Sequence, residues 1–229
     1  MDTADRRAVP DLGLLYRGSR ERVAALVTDE VAEIPVPATP EWAVRDVVAH
    51  VGGVVEDALA GNLDGVATDP STAAQVDRGR TKTVASLLDD WAMQAPMFEA
   101  FLSSPEGEVA ARAVIDLHTH ECDLRGALGR PSPPPDEYAR WAFAEIAGTV
   151  MVSLAAAGLP SLRVETASGD TAGPVDAVVT ARVDRHEFIR AYLGRRSPDQ
   201  VRSWDWTGDP EPYVPHLAAF GPRDTPLVD

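Results

Sequence analysis

The sequence predicts a mainly α protein with a C-terminal α+β part: a four-helix bundle over residues 1–158, its fifth helix a connector, then a small α+β domain over 159–229. Two observations carry this. Apolar residues recur at helical spacing in segments bounded by Pro and Gly, and beyond Gly158-Leu159-Pro160 the period changes from 3.6 to two.

Between Asp11 and about Glu33, Leu12, Leu15, Val23, Leu26, Val27 and Val31 sit three or four residues apart, or at multiples of these, and predict the first helix. Ile34-Pro35-Val36-Pro37-Ala38 breaks it, since each proline removes a backbone donor and biases its predecessor to extended conformations. A second helix starts near Thr39-Pro40 or Trp42, with Val44, Val47, Val48, Val51, Val54 and Val55 as its apolar stripe. Residues 61–80, rich in Gly, Asp, Thr and Ser, read as a crossover loop. The third helix spans Thr81 to about Leu102, bent by Pro96. The fourth runs from about Pro105 to Leu128 and closes at Gly129 before a proline run. A fifth segment covers Asp136–Ala157. Leu162, Val164 and Thr166, and less cleanly Val178, Val179 and Val183, then give two strands around a turn at Gly169-Asp170. His186–Leu193 reads as helix, Trp204-Asp205-Trp206 as strand, and a short helix is expected from Asp209.

Composition narrows the function classes. With 21 basic and 36 acidic residues the formal charge is −15, which repels nucleic acid and anionic membrane surfaces. The most apolar late stretch, Val150–Leu159, is too short to span a bilayer, and the acidic opening Met1-Asp2 is not that of a signal peptide; a soluble cytoplasmic protein is expected. The single cysteine, Cys122, forms no internal disulfide, so a packed core must hold the fold. Oligomeric state is open between monomer and homodimer.

The chemistry points to the histidines. At about 100° per residue, His120 lies close to the directions of Val109, Ala113, Leu124 and Ala127, with Asp116 four residues earlier pointing nearly the same way. Two ionisable groups projecting together into a bundle core are costly unless paired or bound to a cation. His118 points about 160° away from His120, which excludes a shared ion and places it at the surface; Cys122 also faces away, as a packed or exposed bystander. His50 borders the stripe of the second helix. If the second and fourth helices face each other, His50, Asp116 and His120 form a two-histidine, one-carboxylate set, which suits catalytic zinc and equally ferrous iron or nickel. Asp123 is either a further ligand or the partner that orients a histidine.

Trp42-Ala43-Val44-Arg45-Asp46-Val47-Val48-Ala49-His50-Val51 resembles the Trp-Thr-Val-x-Asp-Leu-x-x-His-Leu signature of the mycothiol-dependent maleylpyruvate isomerase family, a branch of the DinB-like metal-binding bundles. His120-Glu121-Cys122-Asp123-Leu124-Arg125-Gly126-Ala127-Leu128-Gly129-Arg130-Pro131 resembles the family's His-x-x-Asp-Leu-x-x-Ala-Leu-Gly-Arg-Pro element. Phe188 to Pro198 and Thr207 to Arg223 resemble its C-terminal segments, so the likeness spans nearly the whole chain. It implies a divalent metal, zinc before Ni2+ or Fe2+, held by His50, Asp116 and His120, with mycothiol as thiol cosubstrate and an actinobacterial source. One departure is Asp116, which stands where the family has Glu and retracts the carboxylate by roughly 1.5 Å. The Gly-Arg element maps onto Arg195, implying a catalytic arginine near the active site.

The expected function is therefore a metal-dependent, thiol-using transferase or isomerase acting on a small electrophile. A metal can lower the pKa of an incoming thiol, so the chain needs no nucleophile of its own. Arg195 would pair with a substrate carboxylate or enolate. Against this stand a bundle that binds a metal or ligand without turnover, an iron-dependent oxygenase on the same ligand types and, weakest, a DNA-binding regulator. An open coordination position favours catalysis over a structural site.

Overall fold

Asp11 starts the first helix: its carboxylate accepts the backbone N–H of Leu14 at 3.0 Å, and α1 runs over Leu12–Leu26. In this computed structural model, which describes residues 10–229, α1 stops seven residues before the expected Glu33. Val27 turns extended and a separate 3-10 turn forms at Asp29–Val31. Asp29 is used elsewhere, accepting the N–H groups of Val84 at 2.6 Å and Ala85 at 3.3 Å where a later helix begins.

The second helix, α2, spans Val44–Ala60 and ends at Gly61, whose φ of 71° lies in the left-handed region. Residues 61–80 are not a loop throughout: Asp69–Gly79 forms α3, lying against α2. Its buried residues are Gln75, Val76 and Gly79, so only one large apolar side chain faces inward and no helical period of hydrophobicity marks it. Two glycines permit the close approach. A Cβ on Gly79 would lie 2.3 Å from the Ala49 Cβ, and one on Gly53 would lie 2.8 Å from the Gln75 Cβ.

Helix α4 covers Val84–Leu102 and passes through Pro96, whose side chain is exposed. The stretch expected to open the next helix at Pro105 is instead 3-10 as far as Ala110, and α5 covers Ala111–Ala127. Helix α1 packs on α4 and α5, and α2 packs on α3, α4 and α5. These helices form one compact unit, residues up to Ser132 together with Asp229; Pro133–Val228 form the other.

The second unit thus includes the fifth expected helix, α6 at Asp136–Ala156, which the sequence assigned to the bundle as a connector. Phe143 of α6 packs on Phe188 of α7 (Arg185–Tyr192) with ring centroids 5.3 Å apart, the apolar contact that draws α6 into this unit. The sheet runs β2-β1-β3-β4, from Leu162–Glu165 (β1), Thr171–Ala172 (β2), Val179–Arg182 (β3) and Asp205–Trp206 (β4). The Gly169-Asp170 turn joins β1 to β2, not to β3, which returns parallel to β1 with Leu162 opposite Val179. A short α8, Pro198–Arg202, was not marked by the sequence; near the end only a 3-10 turn, Val214–His216, appears where a helix from Asp209 was expected. No described helix is long and apolar enough to cross a membrane.

Candidate metal centre

The start of α2 explains the spacing of its motif. The Asp46 carboxylate accepts the N–H of Ala43 at 2.9 Å, satisfying a donor that would otherwise be orphaned at the helix start. The preceding turn, closed by Val36 N–H to Trp42 C=O at 2.9 Å, holds Trp42 just outside the helix, and His50 follows Asp46 by one turn. The Trp42 ring lies 5.2 Å from the His50 ring and 5.8 Å from the His120 ring, stacked on the latter at 30°. Trp42 therefore walls one side of both imidazoles, a role its place in the signature left unstated.

His50, Asp116 and His120 each present a donor atom within 4.8 Å of the others. His50 Nε2 lies 3.3 Å from Asp116 Oδ2, and His120 Nε2 lies 3.6 Å from Asp116 Oδ1. Ligands of one tetrahedral zinc ion, each at 2.0–2.2 Å, stand about 3.3 Å from one another. The shorter aspartate side chain thus brings its carboxylate to both rings. Both histidines are buried, while the Asp116 side chain is 40% exposed, so the cluster is open to solvent on the carboxylate side.

The outward nitrogens are engaged behind the rings. His50 Nδ1 lies 2.8 Å from Gln75 Oε1, and His120 Nδ1 lies 3.1 Å from Asp123 Oδ2, an oblique approach to a carboxylate with no exposed surface. Asp123 thus lies across the ring from Asp116, at the nitrogen that does not face the cluster, which is the position of an orienting partner. Burial pushes the His120 imidazole towards its neutral form, against the opposing pull of Asp116 and Asp123; neutral imidazole is the ligating form.

His118 corrects the expectation of a surface residue: it is 2% exposed, with Nδ1 donating to the Val114 carbonyl at 2.9 Å. Helix α5 packs on both α1 and α2, so opposite faces of it are buried and a single-stripe reading fails. Val109, used to place that stripe, precedes α5 and is 86% exposed. Burial lowers the His118 pKa to about 4. A depressed folded pKa means that this histidine adds stability above its unfolded value of 6.5, lost as pH falls towards 4, in all about 3 kcal/mol. In urea unfolding of metal-free protein, His118→Leu should remove that much of the difference between pH 7 and pH 4; an unchanged pH dependence would refute the assignment.

Cys122 is half-buried and is not a member of the three-residue cluster. Arg195 lies in the second unit, half-buried just past α7, with its guanidinium donating to the Leu193 carbonyl at 2.7 Å. Its neighbour Arg196 is 2% exposed and holds Glu187 by two hydrogen bonds of 2.6 Å, so the buried structural arginine of the pair is Arg196. Gln75, supplied by the unforeseen α3, is the residue at this centre that sequence reasoning missed.

Residues 14–123 match the family model described as the mycothiol maleylpyruvate isomerase N-terminal domain, a span that contains all three clustered residues. Two solved structures resemble the chain, one a mycothiol-dependent maleylpyruvate isomerase with a TM-score of 0.53 and the other a histidine-to-alanine mutant of that enzyme at 0.52. Each is 14% identical and the match covers 90% of this chain and 96% of that one, a likeness of fold. Comparison with curated proteins gives no match. Over residues 14–123 the chain is thus similar to the mycothiol maleylpyruvate isomerase N-terminal domain, and beyond them the likeness is one of fold.

Proposed function

We propose that this chain is a metal-dependent isomerase or S-transferase that uses a small-molecule thiol of the mycothiol type on a small electrophile. The observation that carries the reading is the convergence of His50, Asp116 and His120, with both Nε2 atoms facing one carboxylate that is itself open to solvent. Two neutral imidazoles and one carboxylate contribute a single negative charge, so a divalent cation there keeps one net positive charge for an anionic ligand. When bound, such an ion supplies the Lewis acidity that lowers a thiol's pKa enough for thiolate to exist at neutral pH.

The residues around the centre do the rest. Trp42 shields the imidazoles from water on one side, and Gln75 and Asp123 hold the two rings from behind. Since the thiol arrives with the cosubstrate, no protein nucleophile is required, consistent with Cys122 lying outside the cluster. In the isomerase outcome, sulfur adds to an activated double bond, the resulting single bond rotates, and elimination returns the thiol and the isomerised alkene. In the transferase outcome the adduct is released. Arg195 is assigned the recognition of a substrate carboxylate, or of the enolate formed on addition. Arg195→Met should then raise KM or lower kcat by about 10-fold or more while leaving metal content unchanged; full activity in this variant would remove it from the reaction.

The direct test is incubation of zinc-loaded protein with mycothiol and maleylpyruvate, then with other unsaturated acids and electrophiles, followed by mass spectrometry and NMR of the products. Isomerised or S-conjugated product that depends on both metal and thiol is expected. Tight zinc binding with no turnover across that panel would leave a metal-binding bundle without catalysis.

A further inference from the structure

A hydrogen-bonded chain runs from His50 away from the cluster, and its chemistry leaves one consistent assignment. Asp57 stands seven residues after His50, two turns along the same face of α2, and Gln75 of α3 bridges them. Asp57 Oδ1 accepts from Arg78 at 2.9 Å and Asn62 at 3.1 Å, while Oδ2 accepts from Gln75 Nε2 at 2.8 Å. An ionised carboxylate only accepts, so it fixes which end of the Gln75 amide faces it. The Gln75 oxygen must then face His50 Nδ1, 2.8 Å away. Nδ1 therefore carries a proton, so that in the neutral, ligating form of the ring the lone pair falls on Nε2, which faces Asp116 at 3.3 Å.

We infer that Gln75, oriented by Asp57, is a positioning residue that sets the His50 tautomer and ring angle for metal binding, an inference that rests on the metal reading above. The centre would then depend on α3, a helix that contributes no ligand. Gly53 and Gly79, where a side chain would collide with Gln75 or Ala49, are what allow α3 to come close enough. Arg78 anchors the outer end of the chain through Asp57.

The chain makes a test that exchanges its polarity. In Gln75→Glu alone, a second carboxylate opposes Asp57, and the donor that held the bridge is lost. In Gln75→Glu combined with Asp57→Asn, the new carboxylate accepts from His50 Nδ1 on one side and from the amide NH2 introduced on α2 on the other. The oxygen of that amide still accepts from Arg78 and Asn62, so every hydrogen bond is restored with amide and carboxylate exchanged. Gln75→Leu removes the bridge outright. Leucine is preferred to alanine because Gln75 also lines a cavity of about 210 Å3 with Gly52, Arg78 and Trp91, from which water could reach Nδ1 if the side chain were shortened.

Zinc affinity is measured by competition with a chromophoric chelator, and Co2+ absorption reports the ligand field independently of turnover. The single variants Gln75→Leu and Gln75→Glu should each bind zinc about 10- to 100-fold more weakly with altered Co2+ bands. The double exchange should return affinity to within about threefold of wild type and restore the spectrum. Single variants matching wild type, or a double exchange no better than Gln75→Glu, would overturn the assignment. If Gln75→Leu fails to fold by circular dichroism, the comparison of single and double exchange decides. Wild-type protein that binds no zinc or cobalt would instead overturn the metal reading itself, which separates the two failures.

Discussion

His120→Ala should lower zinc affinity by more than about 100-fold, beyond the 10- to 100-fold typical of losing an orienting partner, and should abolish metal-dependent turnover. The alanine removes one of two imidazole donors and leaves Asp123, a carboxylate with no exposed surface, without the ring nitrogen 3.1 Å away. His50→Ala should weaken zinc to a similar degree, and Asp116→Asn should weaken it less, since an amide oxygen still ligates but carries no charge. Competition titration and elemental analysis of the purified variants measure this directly. Circular dichroism separates loss of metal from loss of fold, because His120 also stacks beneath Trp42. Zinc retained at wild-type affinity in His120→Ala would remove that residue from the ligand set.

The second large effect is on stability. Glu121→Leu should cost about 3 kcal/mol, within the range for breaking a buried ion pair from one side, and lower the unfolding midpoint by roughly 6–12 °C. Glu121 is buried between α1 and α5, accepting from Ser19 at 2.7 Å, from Arg22 twice at 2.8 Å and from Arg125 at 3.0 Å. Burial alone would raise its pKa, but the hydrogen bonds from Arg22 and Ser19, reinforced by the Arg22 charge and Arg125, more than offset that and hold it low. A lowered folded pKa contributes stability that is present above the unfolded value of 4.5 and lost as pH falls through the folded one, so the wild-type advantage over Glu121→Leu should shrink below about pH 4.5. Thermal unfolding at pH 7 and pH 4 checks both parts. A variant within about 0.5 kcal/mol of wild type at pH 7 would contradict the assignment.

What was legible in the sequence follows physical lines. Val44, Val47, Val48, Val51 and Val55 are all buried in α2, and a helix with one buried face announces itself by period. The cluster was legible because Asp116 and His120 share a face of α5 and the His50 motif brought a third donor from α2. His118 was misplaced because α5 is buried on two faces, and its side towards α1 is polar, made by His118 and by Glu121, which Ser19 and Arg22 hold. Helix α3 was invisible for a related reason: it buries Gln75 and Gly79 beside a single valine, so its contribution to the centre is a hydrogen bond and a close approach, neither of which leaves a hydrophobic period. The pairing of β1 with β3 was also hidden. Local turn chemistry at Gly169 reports only the neighbouring β2, while the parallel partner arrives through a longer connection.

All of this turns on whether a single cation sits among the donor atoms of α2 and α5. A crystal structure of zinc-soaked protein, with anomalous diffraction measured on both sides of the zinc edge, answers that without reference to any substrate. One peak is expected about 2.0–2.2 Å from His50 Nε2, His120 Nε2 and an Asp116 oxygen, with a further position facing solvent. No peak there at saturating zinc, or a peak coordinated through either Nδ1 atom, would contradict it.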